Sequence, residues 1–187
     1  TAAPAPSIWR GYWRRQPGRG RPASMTSAAA ERVFVGLGAN LGDAPATLAA
    51  AFRCLSDHHS IKLVAASSLY RTAPVDAAGP DYVNAVVELQ TSLTPLDLLH
   101  TLQAMERSHG RQRPYLHAPR TLDLDLLLYG HRQLEHLELR LPHPRMHQRA
   151  FVLEPLAEIA PNLTHPLLGS LREWRAGLLN QPIERLP

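Results

Sequence analysis

The chain has 187 residues, 44% of them hydrophobic, enough for one domain with its own core. No stretch approaches the roughly 20 uninterrupted apolar residues of a membrane helix, and a lone cysteine, Cys54, excludes an internal disulfide and points to a reducing, cytoplasmic setting. The formal charge of +4 divides unevenly. Residues 1–30 hold Arg10, Arg14, Arg15, Arg19 and Arg21 and no acid, and setting these five aside leaves 15 of the 20 basic residues against 16 acidic ones. The body is therefore near neutral and offers no basic surface for nucleic acid.

Residues 1–30, rich in Ala, Pro, Gly and Arg, show neither helical nor alternating periodicity and read as a disordered extension ahead of a single domain spanning 31–187. The segment around Trp9 and Trp13 is broken by arginines, so it lacks the apolar stretch of a secretory signal. Its proline and glycine content disfavours the amphipathic helix of an organellar transit peptide, and Met25 is the expected start.

Val33 to Gly38 is a β-branched run ending in glycines, the pattern of a buried strand and a turn. Asp43 and Pro45 then open a helix with Leu48, Ala51, Phe52 and Leu55 on one face. Strands are expected over Ile61 to Tyr70 and Tyr82 to Gln90, separated by a loop holding Pro74, Gly79 and Pro80. Thr94, Pro95 and Asp97 start a second helix, with Leu98, Leu99, Leu102 and Met105 along one face and Gly110 as its stop. Thr121 to Tyr129 is the next strand, Gln133 to Leu141 a short strand or edge, and Arg149 to Ile159 a helix. Ser170 with Glu173 forms a capping box ahead of a last helix that buries Leu171, Trp174 and Leu178. From residue 33 the order is strand, helix, strand, strand, helix, strand. That is the ferredoxin-like β-α-β-β-α-β order, an α+β fold with a mainly antiparallel sheet flanked by helices and additions at its C-terminal end.

The strongest chemical signal is Thr121-Leu-Asp-Leu-Asp-Leu-Leu-Leu. Side chains alternate on a strand, so Leu122, Leu124, Leu126 and Leu128 are expected on the core face, with Thr121, Asp123 and Asp125 on the other. Two carboxylates about 7 Å apart repel unless a cation sits between them, and magnesium favours one or two carboxylates plus phosphates and water. A solvated amphipathic strand is the bland alternative. Arg111, Arg113 and Arg120, in the loop before this strand, shift the balance, because guanidinium groups beside a magnesium site stabilise charge that develops in phosphoryl transfer.

Further strings narrow the reading. Tyr70-Arg-Thr-Ala-Pro74, Asp81-Tyr-Val-Asn84-Ala, Gly110-Arg111-x-Arg113, Pro119-Arg-Thr-Leu-Asp-Leu-Asp125, Leu141-Pro-His-Pro-Arg-Met and Arg149-Ala-Phe151 follow one another in this order. Together they resemble the 6-hydroxymethyl-7,8-dihydropterin pyrophosphokinase family from about Val33 to Pro161. The resemblance implies an ATP-dependent enzyme of folate biosynthesis, in which the pterin hydroxymethyl oxygen attacks the β-phosphorus of ATP and AMP leaves. It implies two magnesium ions on Asp123 and Asp125, with Arg111 and Arg120 assisting transfer. It assigns the pterin to Thr72, Pro74, Val75, Tyr82, Asn84 and Phe151, and ATP to Gln103, Glu106, Arg113, Leu126, His143 and Arg149. The enzyme is expected to act as a cytoplasmic monomer, with neither nucleic acid nor membrane as partner.

The sequence departs from the family at Leu116 and His117, where an Arg and an aromatic usually stand, and His117 becomes the lid candidate. Pro144 also takes a place often held by an aromatic, and Glu138 and Arg140 differ from the residues expected near the nucleotide. A pterin- or nucleotide-binding protein with impaired catalysis on the same scaffold stays open as an alternative. An RNA-binding ferredoxin-like module would need aromatics exposed on central strands, and the first strand offers only Phe34, in an apolar run. Gly36-x-Gly38-x-x-x-Gly42 misses the dinucleotide fingerprint by one residue.

Overall fold

The computed structural model describes residues 30–74, 79–109, 121–178 and 181–187. Expectations for residues 1–29, and those for Val75, Gly110, Arg111, Arg113, Leu116, His117 and Arg120, lie outside the described residues. The core elements follow the expected order: β1 (Glu31–Ala39), α1 (Ala44–Asp57), β2 (Ile61–Ala66), β3 (Tyr70–Thr72), β4 (Tyr82–Thr91), α2 (Pro95–Ser108) and β5 (Asp123–Tyr129). A small hairpin, β6 (Leu134–Glu135) with β7 (Arg140–Leu141), a 3-10 turn at Met146–Gln148 and α3 (Ala150–Ile159) come next. β8 (Thr164–His165), β9 (Gly169–Ser170), α4 (Leu171–Ala176) and β10 (Glu184–Arg185) complete the chain.

The caps read from sequence are present. The Asp43 side chain accepts from the Ala46 N–H at 3.0 Å, Thr94 accepts from the Asp97 N–H at 3.2 Å, and Ser170 and Glu173 form the reciprocal box. Each such cap contributes about 1 kcal/mol by satisfying donors that the first helical turn leaves without partners.

The main sheet runs β10-β3-β4-β1-β5, with β2 also on β4. β1 and β2 both pair antiparallel with β4, and β5 pairs antiparallel with β1, which is the ferredoxin-like arrangement. Val33, Val35, Leu37 and Ala39 of β1 alternate with Phe34, Gly36 and Gly38. The odd-numbered set packs with α1 and α2 in one core. Phe34 packs with Val86 of β4 and with α3 and α4 in a second core across the sheet.

Three readings of the sequence need correction. The expected strand from Ile61 to Tyr70 is broken after Ala66. The Ser67 N–H still donates to the Val86 carbonyl at 2.9 Å, but the Val86 N–H goes to the Ser67 hydroxyl at 3.0 Å, which itself donates to the Ser68 carbonyl at 2.7 Å, so a side chain takes one backbone place in the ladder. Leu128, placed with Leu122, Leu124 and Leu126 by strict alternation, lies in the second core instead. The register slips by one between Phe34 and Val35: Phe34 faces Leu128 while Val35 faces Leu126. This β-bulge at Leu127 reverses the alternation after the two aspartates, leaving their side of the strand unchanged. In addition, α4 ends at Ala176, so Leu178 lies beyond it, half-buried against the second core.

Candidate active site

The second face of the sheet is apolar at one end and polar at the other, and the site follows from that change. Where β1 and β4 offer Phe34 and Val86, α3 and α4 pack down on them. From the Val86 row onward the same face carries Gly36 and Gly38 of β1, Asn84 of β4, and Asp123 and Asp125 of β5. A cavity of about 530 Å³ opens there, a size suited to a small organic ligand.

Its floor is set by register. Gly38 pairs with Asn84 on one side and Asp123 on the other, and Gly36 pairs with Asp125, so amide, bare backbone and carboxylate lie in a row across three strands. A Cβ on Gly38 would come within 3.3 Å of the Asn84 Oδ1. Glycine therefore lets the amide lie over β1 and lets a flat ligand approach the main chain. Asn84 is buried and donates from Nδ2 to the Thr72 Oγ1 at 2.9 Å, which fixes the orientation of the amide. Thr72, Tyr82 and Phe151 also line the cavity.

The charged side is built from β5 and the start of α3. Arg149 lies with its guanidinium 5.4 Å from the Phe151 ring centroid, and its Nη1 is 3.8 Å from the Asp125 Oδ2. It links the aromatic wall to the carboxylates. Arg145, Gln148 and Gln181 border the same cavity. Among the described residues no group of three or more His, Cys, Asp or Glu side chains is arranged to hold a metal. Asp123 and Asp125 are hard oxygen donors on one face, with glycine opposite each, so bulky ligands have room beside them. That donor set suits magnesium, which retains water and substrate oxygens in its coordination sphere.

His143 sits beside this charged wall. Its backbone N–H donates to the Leu127 carbonyl at 2.9 Å, and its Nδ1 accepts from the Arg145 N–H at 3.2 Å. Burial, reinforced by the Arg149 and Arg145 charges, pushes its pKa down to about 4. The ring is therefore neutral near pH 7, with its proton on Nε2, and can donate one hydrogen bond.

Thr72, Tyr82, Asn84, Asp123, Asp125, Arg149 and Phe151 thus come together around one cavity. Other expected positions lie outside its lining. The Leu126 side chain is buried in the core with α1 and α2, while Pro74 and Gln103 are half-buried. Glu106 is buried, and its carboxylate accepts the Leu124 N–H at 2.7 Å, tying α2 to the residue between the two aspartates. Its geometry is that of a brace for the acidic strand. The sequence reading missed Gly36 and Gly38 as a floor, treating them as a failed dinucleotide motif. It also quoted Arg145 without giving it a role and passed over Gln148 and Gln181.

The sequence profile of 7,8-dihydro-6-hydroxymethylpterin-pyrophosphokinase (HPPK) matches residues 34–161. The 2-amino-4-hydroxy-6-hydroxymethyldihydropteridine pyrophosphokinase of Pseudomonas aeruginosa is 45% identical over 158 residues, covering 84% of this chain and 98% of its own. The Methylorubrum extorquens protein of the same name is 42% identical over 158 residues, covering 83% and 98%. A Plasmodium falciparum HPPK-DHPS crystal structure superposes with a TM-score of 0.64 at 14% identity, over 81% of this chain and 45% of that one. This chain spans under half of that longer protein, and the likeness shows the fold alone.

The family match and the relatives define a transferase of the pyrophosphokinase class. Within that class, the chain belongs to the 7,8-dihydro-6-hydroxymethylpterin-pyrophosphokinase family.

Proposed function

We propose that the chain transfers diphosphate from ATP to the hydroxymethyl oxygen of 6-hydroxymethyl-7,8-dihydropterin and releases AMP, as a step of folate biosynthesis. The observation that carries this reading is the row Asn84, Gly38 and Asp123, which puts an oriented amide and a carboxylate on either side of a glycine floor in one cavity.

The amide recognises the pterin edge, since it can both donate and accept, and Tyr82 and Phe151 supply apolar walls for the ring. Thr72 orients Asn84, and Pro74 and Val75 are assigned to the same subsite. Asp123 and Asp125 would hold magnesium, two ions in the full assignment, and bound magnesium would neutralise phosphate oxygens. Arg149, His143, Gln103, Arg113 and the Leu126 backbone are assigned to the nucleotide, with Glu106 supporting β5 from behind. Arg111 and Arg120 are assigned to transition-state charge, and His117 to the lid. In the transfer, the hydroxymethyl oxygen bonds to the β-phosphorus as the bond from that phosphorus to the α–β bridging oxygen breaks. No protein side chain forms a covalent intermediate, so catalysis rests on positioning and electrostatics.

The same proposal takes residues 31–187 as one domain acting as a cytoplasmic monomer. No helix among the described residues is long and apolar enough to cross a membrane. Phe34, the aromatic on which an RNA-binding surface would depend, is buried. The test is chromatography of nucleotides after incubation with ATP, magnesium and the pterin. AMP is expected only when the pterin is present; its absence, or its appearance without pterin, would remove the assignment.

A further inference from the structure

Residues 162–187 lie beyond the segment that matches the family profile, yet Gln181 among them borders the cavity. Two contacts hold the final strap. At one end, Arg185 pairs with Tyr70 in the β10–β3 ladder, and the Leu186 N–H donates to the Leu69 carbonyl at 2.9 Å. Arg185 also donates to the Ser68 Oγ at 2.8 Å and to Glu158 at 3.3 Å, near the last turn of α3. At the other end, the Gln181 Oε1 accepts the Ala150 N–H at 2.8 Å, and its Nε2 donates to the Gln148 carbonyl at 2.8 Å.

The second contact falls at a place where no local side chain caps the helix. Arg149 is the N-cap of α3 and makes no side-chain cap bond; the Val152 N–H bonds to the Arg149 carbonyl at 3.0 Å, while the Ala150 N–H takes its partner from elsewhere. Gln181, more than thirty residues away in sequence, supplies one. Its two bonds engage the peptide groups on either side of Arg149, whose guanidinium reaches toward Asp125 and whose neighbour Phe151 forms the wall of the cavity. The amide itself borders that cavity.

We propose that Gln181 is a positioning residue for the transfer reaction: by bonding both peptide groups that flank Arg149, it fixes the guanidinium between Phe151 and Asp125. The inference rests on the function proposed above. A lost clamp leaves Arg149 present but less firmly placed, and misplacing a charged group by about 1 Å costs up to roughly a hundredfold in rate.

The variant Gln181→Met keeps the side-chain length and removes both bonds. We expect kcat/KM for ATP to fall about tenfold, with the thermal midpoint shifted by only a few degrees. Gln181→Glu retains an acceptor for Ala150 and should fall between the two. The decisive comparison is the cycle with Arg149→Ala: if Gln181 acts through Arg149, Gln181→Met has no further effect in that background. An equal loss in both backgrounds, or a loss that tracks the unfolded fraction, would overturn the proposal. Nitrogen relaxation at the Arg149 Nε gives a readout that needs no turnover. Faster motion in Gln181→Met supports the clamp and unchanged motion refutes it, even if the wild-type protein makes no AMP and the function itself fails.

Discussion

Gly38 and Asn84 face each other across β1 and β4, and the Asn84 Oδ1 occupies space that any Cβ at position 38 would enter. Gly38 is not among the glycines with positive φ, so its role is the close approach and not the backbone conformation. Gly38→Ala should therefore cost little stability, about 1 kcal/mol, while displacing the amide from its bond to Thr72. We expect KM for the pterin to rise roughly tenfold with KM for ATP nearly unchanged. Steady-state kinetics with each substrate varied would check this, and equal rises in both constants would speak against a pterin-specific floor.

Asp123→Asn and Asp125→Asn remove charge without changing shape, and both side chains are only partly buried at the cavity edge. Each should lower turnover at least a hundredfold while leaving the urea midpoint within about 0.5 M of wild type. Rates near wild type at saturating magnesium would remove the metal assignment.

The aspartate pair was legible because Thr121 to Leu126 follows strict alternation. The same rule failed two residues later, at Leu128, because a bulge is a property of the pairing with β1 and leaves no mark in the β5 sequence. The caps at Asp43, Thr94 and Ser170 were legible for the opposite reason: both partners lie within three residues. Gln181 capping Ala150, Glu158 holding Ser68 and Glu106 holding Leu124 join residues 18 to 90 positions apart. Polar side chains at such separations look like ordinary surface residues until the fold brings their partners to them. The glycine floor escaped for a related reason, since Gly36 and Gly38 acquire meaning only from what β4 and β5 place beside them.

Glu158 anchors the turn between β2 and β3. Its carboxylate accepts from the Ser68 N–H and hydroxyl, each at 2.9 Å, and from the Tyr70 hydroxyl at 3.0 Å, at the break between β2 and β3. Burial, with the Glu158 charge adding to it, pushes the Tyr70 phenol up to about 12. Glu158→Ala leaves these donors without their acceptor and should cost about 2–3 kcal/mol in urea unfolding. Arg185 contributes little of this, because its guanidinium is largely solvent-exposed. A loss under about 0.5 kcal/mol would show that water replaces the carboxylate at no cost.

His143 gives the protein a defined acid sensitivity. Its folded pKa is about 4 against an ordinary value of 6.5, so between these values the unfolded chain binds a proton that the folded chain refuses. Its contribution to stability is complete above pH 6.5, declines as pH falls through that window and levels off below about 4. His143→Gln should remove this part of the pH dependence. Urea unfolding of both proteins between pH 4 and 7 would test it, and parallel curves would exclude His143 as the source.

The central claim is that one cavity holds a pterin edge and the phosphates of ATP so that diphosphate, not a single phosphoryl group, is transferred. Phosphorus NMR of the protein with ATP, magnesium and 6-hydroxymethyl-7,8-dihydropterin reads that choice directly. The account predicts a pterin-dependent AMP resonance together with two coupled resonances of a pterin diphosphate. ADP with a pterin monophosphate, or ATP left unchanged, would contradict it.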